Sequence, residues 1–225
     1  MYHLLAGLYA EWAKKPVYNV LLVGLKGSGK TWVLERLREM HAGGQGPSGR
    51  IAPTVGQNVL DVTYKRSVLH FWDLGGAASM RVLWDEYLPD AAAVVWVLDA
   101  PRWAQDAKID GERQPTYRAA VCDALFQLAQ DAAARNQPIV VVVAQLDQAP
   151  FAGPGLDQAS GVALVEHVHI HVVEQWAKFV DETTSAATLN PHWTFVGLSA
   201  ASGDGVPAAL DTIHSKAVRY ASTAP

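Results

Sequence analysis

The stretch Gly24-Leu25-Lys26-Gly27-Ser28-Gly29-Lys30-Thr31 constrains this chain more than any other eight residues. It fits G-x-x-x-x-G-K-[ST] without a gap, with an apolar run over 17–23 before it and helical periodicity over 30–41 after it. The glycines let the backbone curl so that several N–H groups point inward. The helix that follows adds the positive end of its dipole. Such a loop cradles phosphates, with Lys30 reaching the outer ones and Thr31 lending its hydroxyl oxygen to Mg2+. Nucleotide switches, ATPases and small-molecule kinases all use this loop, so the motifs downstream must choose among them.

The order of elements agrees with a phosphate-binding α/β fold. Residues 59–64 and 67–72 read as a hairpin turning at Lys65-Arg66. Residues 91–98 and 139–144 are nearly all apolar, the mark of central parallel strands. Helices are expected over 114–135, 162–187 and 207–220, and a last strand over 193–199. The stretch 101–114 reads as polar and irregular, 43–49 as a flexible loop, and 149–161 as Pro/Gly-rich. Strands alternating with helices predict a mainly parallel central sheet with helices on both faces. The chain's 225 residues suffice for one such domain, expected over 17–222, after a helix over 3–15 that Pro16 ends. The insertions look like surface elaborations of that domain.

Two further segments point to Mg2+ and a terminal phosphate. Asp73 closes an apolar strand, where a carboxylate steadies the ion from behind the groups bound directly to it. Gly75-Gly76 follow and let the Gly76 N–H approach a phosphate. Thr54, in Ala52-Pro53-Thr54-Val55-Gly56, can give a second hydroxyl to Mg2+ while a phosphate holds its loop in place. The metal candidates are therefore Thr31, Thr54 and Asp73.

These residues together resemble the Arf branch of the small GTPases. The resemblance rests on the P-loop, Pro53-Thr54-x-Gly-x-Asn-Val59, Trp72-Asp-x-Gly-Gly76, Leu83-Trp84, Tyr87 and Ser202-Gly203-Asp204-Gly205. The opening, Met1 to Tyr9, looks most like the Arf-related protein subgroup that works at the trans-Golgi. The resemblance implies a small GTPase fold that binds GTP or GDP with Mg2+, with Thr54 in switch I and Gly76 in switch II. It implies that the hairpin slides when GTP binds and displaces the N-terminal helix. It also implies an exchange factor, a GTPase-activating protein and effectors recruited to Golgi-type membranes, with the protein cycling between cytoplasm and membrane.

The sequence departs from that pattern at two functional places. Ala77 stands where the family carries the glutamine that orients the attacking water, and Ser79 is the nearby polar residue. Hydrolysis is expected to be slow or to need a partner. The alternative is a scaffold that holds GTP without a working hydrolytic cycle. The base-reading Asn-Lys-x-Asp becomes Ala144-Gln145-Leu146-Asp147. Asp147 can still accept from guanine N1–H and the exocyclic amine. Gln145 keeps an aliphatic stem to lie along the base, and Ala200 and Ala201 sit in the loop that offers it a backbone N–H. A preference for guanine is expected to survive with weaker affinity. An ATP-dependent kinase finds no support, since no arginine-rich lid segment is present.

At the N-terminus Met1, Leu4, Leu5, Leu8, Tyr9 and Trp12 fall within one arc of about 140° at helical spacing. Lys14 and Lys15 follow, so the arc can lie in a membrane interface or meet a Golgi membrane receptor. It can equally pack on the domain. Tyr2 excludes N-myristoylation. No apolar run reaches the roughly 20 residues of a membrane span. The net charge of −4 gives no sign of nucleic-acid binding. His167, His169 and His171 alternate, but only His167 and His171 share a helix face, and zinc needs a further ligand. Trp72, Trp84, Trp96 and Trp193 are expected in the core, Cys122 as a small buried residue, and Trp32 either beside the nucleotide or in the core.

Overall fold

A strand with apolar residues on both faces can be stable only inside a sheet covered on both sides. Two strands here are of that kind, β4 (Ala93–Asp99) and β5 (Pro138–Ala144), and every residue of both is buried. The computed structural model describes residues 15–42, 54, 56–106, 116–148, 161–182 and 190–223. Residues 3–14 of the helix expected over 3–15, with Leu4, Leu5, Leu8, Tyr9 and Trp12, lie outside the described residues, as do the stretch 43–49 and residues 149–160 of the stretch 149–161.

The remaining strands are β1 (Val17–Val23), β2 (Gln57–Tyr64), β3 (Ser67–Leu74) and β6 (His192–Gly197). The sheet runs β2-β3-β1-β4-β5-β6. Only the β2–β3 hairpin is antiparallel; the other four pairings are parallel. This is the small GTPase architecture expected from the sequence. β3 runs two residues past Trp72, so Asp73 is part of the strand, paired with Leu22 on one side and Asn58 on the other.

Period-two alternation divides the core between the two faces. Leu21, Val23, Trp96, Leu98, Val141 and Val143 face one cluster, and Leu22, Val95, Val97, Val140 and Val142 the other. Helices α1 (Lys30–Ala42) and α6 (Val206–Thr223) cover the second face through Val33, Leu34, Leu37, Leu210 and Ile213. Helices α4 (Tyr117–Ala134) and α5 (Gly161–Glu182) cover the first, joined there by the short α2 (Val82–Tyr87). Trp84 and Trp96 are buried as expected, while Trp72 and Trp193 are half-buried against the same cluster. Cys122 is buried in α4, and burial pushes its thiol up to about 11, so it is a packing residue and a poor nucleophile.

The stretch after β4 differs from the sequence expectation. Instead of irregular chain, Ala100–Asp106 forms a helix, α3. The Asp99 carboxylate accepts the Arg102 N–H at 2.9 Å and so caps the first turn. Trp103 turns inward and is fully buried, with Ala100 and Ala104 beside it. The Arg118 guanidinium lies 5.2 Å over the Trp103 ring and its Nε donates to the Trp103 carbonyl at 3.0 Å. His171 meets the ring edge-on, and His167 lies within 3.5 Å of its N–H. These two histidines therefore pack against the helix that Trp103 anchors. Trp103→Ala is expected to lower unfolding stability by about 3–5 kcal/mol in urea titration.

Candidate functional site

The loop between β1 and α1 turns away from the sheet at Gly24, where φ is +145°. A Cβ there would stand 2.3 Å from the Val97 carbonyl oxygen, so no other residue fits. The loop then closes over the Lys30 side chain, whose Nζ donates to the carbonyls of Gly24 at 2.9 Å and Leu25 at 3.1 Å. Burial lowers the Lys30 ammonium to about 8, with the Asp73 carboxylate working against that fall.

Three oxygens converge at the start of α1. The Thr31 hydroxyl donates to Asp73 Oδ2 at 2.8 Å and lies 2.9 Å from the Thr54 hydroxyl. Asp73 is fully buried, and its Oδ1 has no hydrogen-bond partner among the described residues. Burial raises the Asp73 carboxyl above its ordinary value, with the Thr31 hydroxyl and the Lys30 charge pulling it back. Two hydroxyls and a carboxylate with an unused buried oxygen form a donor set that suits a hard divalent cation such as Mg2+. The sequence expectation thus brought together residues from α1, β3 and the segment before β2.

Gly76 completes this end. A Cβ on it would fall 2.4 Å from the Gly24 carbonyl oxygen and 2.7 Å from the Lys26 nitrogen. The Gly76 backbone therefore lies directly on the phosphate-type loop. The Gly75 N–H donates to the Gly56 carbonyl at 3.1 Å, which joins the chain after Thr54 to the chain after Asp73. The Ala77 methyl group lines the pocket described next, and Ser79 is exposed on the next turn.

A pocket of about 440 Å3 runs from here to the far loops, a size within the range of small-molecule sites. Lys26, Gly27, Gly29, Lys30, Thr31, Thr54, Gly76 and Ala77 line one part, and Gln145, Asp147, Ala200 and Ala201 another. Of the candidate residues, Gly24, Leu25, Ser28 and Asp73 lie behind this lining. Trp32 contributes to the pocket wall and is also half-buried against the α1–α6 cluster.

At the far end the Asp147 carboxylate is exposed and accepts from the Ser199 hydroxyl at 2.6 Å. Ala144 is buried at the end of β5 beside Asp99. Gln145, in the left-handed region at φ +62°, sends its amide to the Ser28 carbonyl at 3.4 Å. It thereby ties the loop after β5 to the loop after β1. Sequence reading passed over Arg36. Its Nε donates to the Ala200 carbonyl, and a second guanidinium nitrogen to that of Ala201, both at 2.5 Å. A polar residue on an ordinary helix surface carries no signal of a partner 164 positions away.

The profile of the ADP-ribosylation factor family matches residues 4–217. The chain is 39% identical over 101 residues to ADP-ribosylation factor-like protein 3 of Saccharomyces cerevisiae, covering 44% of this chain and 51% of that protein. The match thus spans about half that relative's length. Identity to ADP-ribosylation factor-like protein 1 of the same yeast is 29% over 200 residues, 89% of this chain and 87% of the other. Among solved structures, the Arl6 BBS3 small GTPase from Trypanosoma brucei with bound nucleotide analogue GppNp superposes with a TM-score of 0.60. It is 21% identical, and the match covers 91% of this chain and 99% of that one, which shows a common fold.

The contact at Gly76 gives a paired test. Gly76→Ala is expected to lower stability by about 1–3 kcal/mol, because its Cβ meets backbone that cannot swing aside. Gly203→Ala, at φ +89° with open space around it, should lose only about 1 kcal/mol. Thermal unfolding of the two variants checks the order.

Proposed function

The chain belongs to the ADP-ribosylation factor family, and we propose that it is a guanine-nucleotide switch of that family whose hydrolysis is slow or depends on a partner. The convergence of Thr31, Thr54, Asp73 and Gly76 at one end of the 440 Å3 pocket carries this reading. Backbone N–H groups of the loop 24–29 and the Lys30 ammonium receive the phosphates. Thr31 and Thr54 hold Mg2+, and Asp73 steadies it through Thr31. When bound, the ion neutralises charge on the outer phosphates. Asp147, oriented by Ser199, accepts from the guanine edge, and the loop at Ala200–Ala201, held by Arg36, lies beside the base.

The segment carrying Thr54 also bears on Asp73 through Gly56 and Gly75. Loss of the terminal phosphate would release Thr54 and with it this connection. In the membrane step, the arc of Leu4, Leu5, Leu8, Tyr9 and Trp12 meets a Golgi-type membrane or a receptor there. The bound state recruits effectors, and an exchange factor and a GTPase-activating protein set its lifetime. The protein cycles between cytoplasm and Golgi.

Ala77 favours a second reading, a scaffold that binds GTP and does not cleave it. Ala77→Gln separates the two. If only the water-orienting group is missing, the variant should hydrolyse GTP faster than the wild type by roughly tenfold to a hundredfold in single-turnover assays. If the variant leaves bound GTP as inert as the wild type does, even with a GTPase-activating extract added, the scaffold reading stands and the switch reading fails.

A further inference from the structure

The pocket does not end at Gly76 and Ala77. A second cavity of about 400 Å3 opens beside it, and Lys26, Gly76 and Ala77 line both. The new walls include Arg81, Arg102 and Tyr117, so three cationic side chains surround it. Arg102 is the one fixed on the phosphate-type loop. Its Nη1 donates to the Lys26 carbonyl at 3.3 Å, and its guanidinium lies 4.5 Å over the Tyr117 ring. Its own N–H is held by Asp99, whose backbone N–H in turn donates to the Tyr117 hydroxyl at 3.0 Å. A Cβ on Gly27 would stand 4.0 Å from Arg102 Nη1, which places the guanidinium at the edge of the loop.

This arrangement orders a cation in advance. Stacking, a carbonyl contact and a capped first turn already restrict the side chain, so little further ordering is needed when it meets an anion. An arginine supplied from the same chain is a known way to meet charge on a terminal phosphate. At this end of the pocket the side chain at 77 offers no polar group, and charge is what remains. We propose that Arg102 is a further phosphate-binding residue, which places positive charge beside the terminal phosphate and makes the site prefer a nucleoside triphosphate over a diphosphate. The proposal rests on the reading of the pocket as a guanine-nucleotide site. It also adds a residue outside the P-loop and both switches to the set that contacts the nucleotide.

The test compares dissociation rates of fluorescently labelled GDP and of a non-hydrolysable GTP analogue, with Mg2+, from the full chain and from Arg102→Ala and Arg102→Lys. Arg102→Ala should release the triphosphate analogue roughly tenfold faster or more, the size of one lost charge-assisted contact. GDP release should change by less than roughly twofold, because a cation at the terminal position has little to meet in the diphosphate. Arg102→Lys should restore most of the difference. Equal acceleration of both nucleotides would mean that Arg102 only props the loop, and would overturn the proposal. So would unchanged release of both. A wild-type chain that binds neither guanine nucleotide would remove the underlying reading as well, an outcome distinct from the previous two.

Discussion

The backbone at Gly76 lies on the backbone of Gly24, Leu25 and Lys26 with no room for a side chain between them. Everything at the phosphate end of the pocket depends on that contact. It brings the end of β3 against the loop after β1. In that position Asp73 can receive the Thr31 hydroxyl, and Thr31 can meet Thr54. The same contact leaves the side chain at 77 facing both cavities. Three segments far apart in sequence thus act as one unit, and a change in any of them is felt at the shared oxygens.

The other end is built less strictly. Asp147 is exposed, and the Ser199 hydroxyl orients its carboxylate. Arg36 holds the loop beside it through two carbonyls. Gln145 reaches back to Ser28 and connects the two ends of the pocket. With Ala144 buried and Gln145 bonded to Ser28, the site stays connected from one end to the other. The physical asymmetry is clear: buried charge and close backbone packing at one end, surface hydrogen bonds at the other.

How much of this could be read from the sequence follows from where the information lies. β1 matches its expected span because Pro16 and Gly24 punctuate it. β4 and β5 were visible as apolar runs, with bounds shifted by one or two residues. The helix α3 was not visible, because Pro101, Arg102, Gln105 and Asp106 outnumber its apolar residues. Its stability comes from Trp103 entering the core and from Asp99 capping it, neither of which is a local pattern. The same division holds in the site. Gly24 to Thr31 and Asp73 were legible from spacing and from the end of a strand. Arg36 and Arg102 were not, since each acts through a partner brought near only by the fold.

The two ends of the pocket work together only if it holds a guanine nucleotide. The most direct measurement is to denature the purified full chain and identify the released nucleotide by chromatography against protein concentration. GTP or GDP is expected at close to one equivalent, lost when Mg2+ is chelated. Bound adenine nucleotide, or no nucleotide together with no uptake of added GTP, would contradict that expectation.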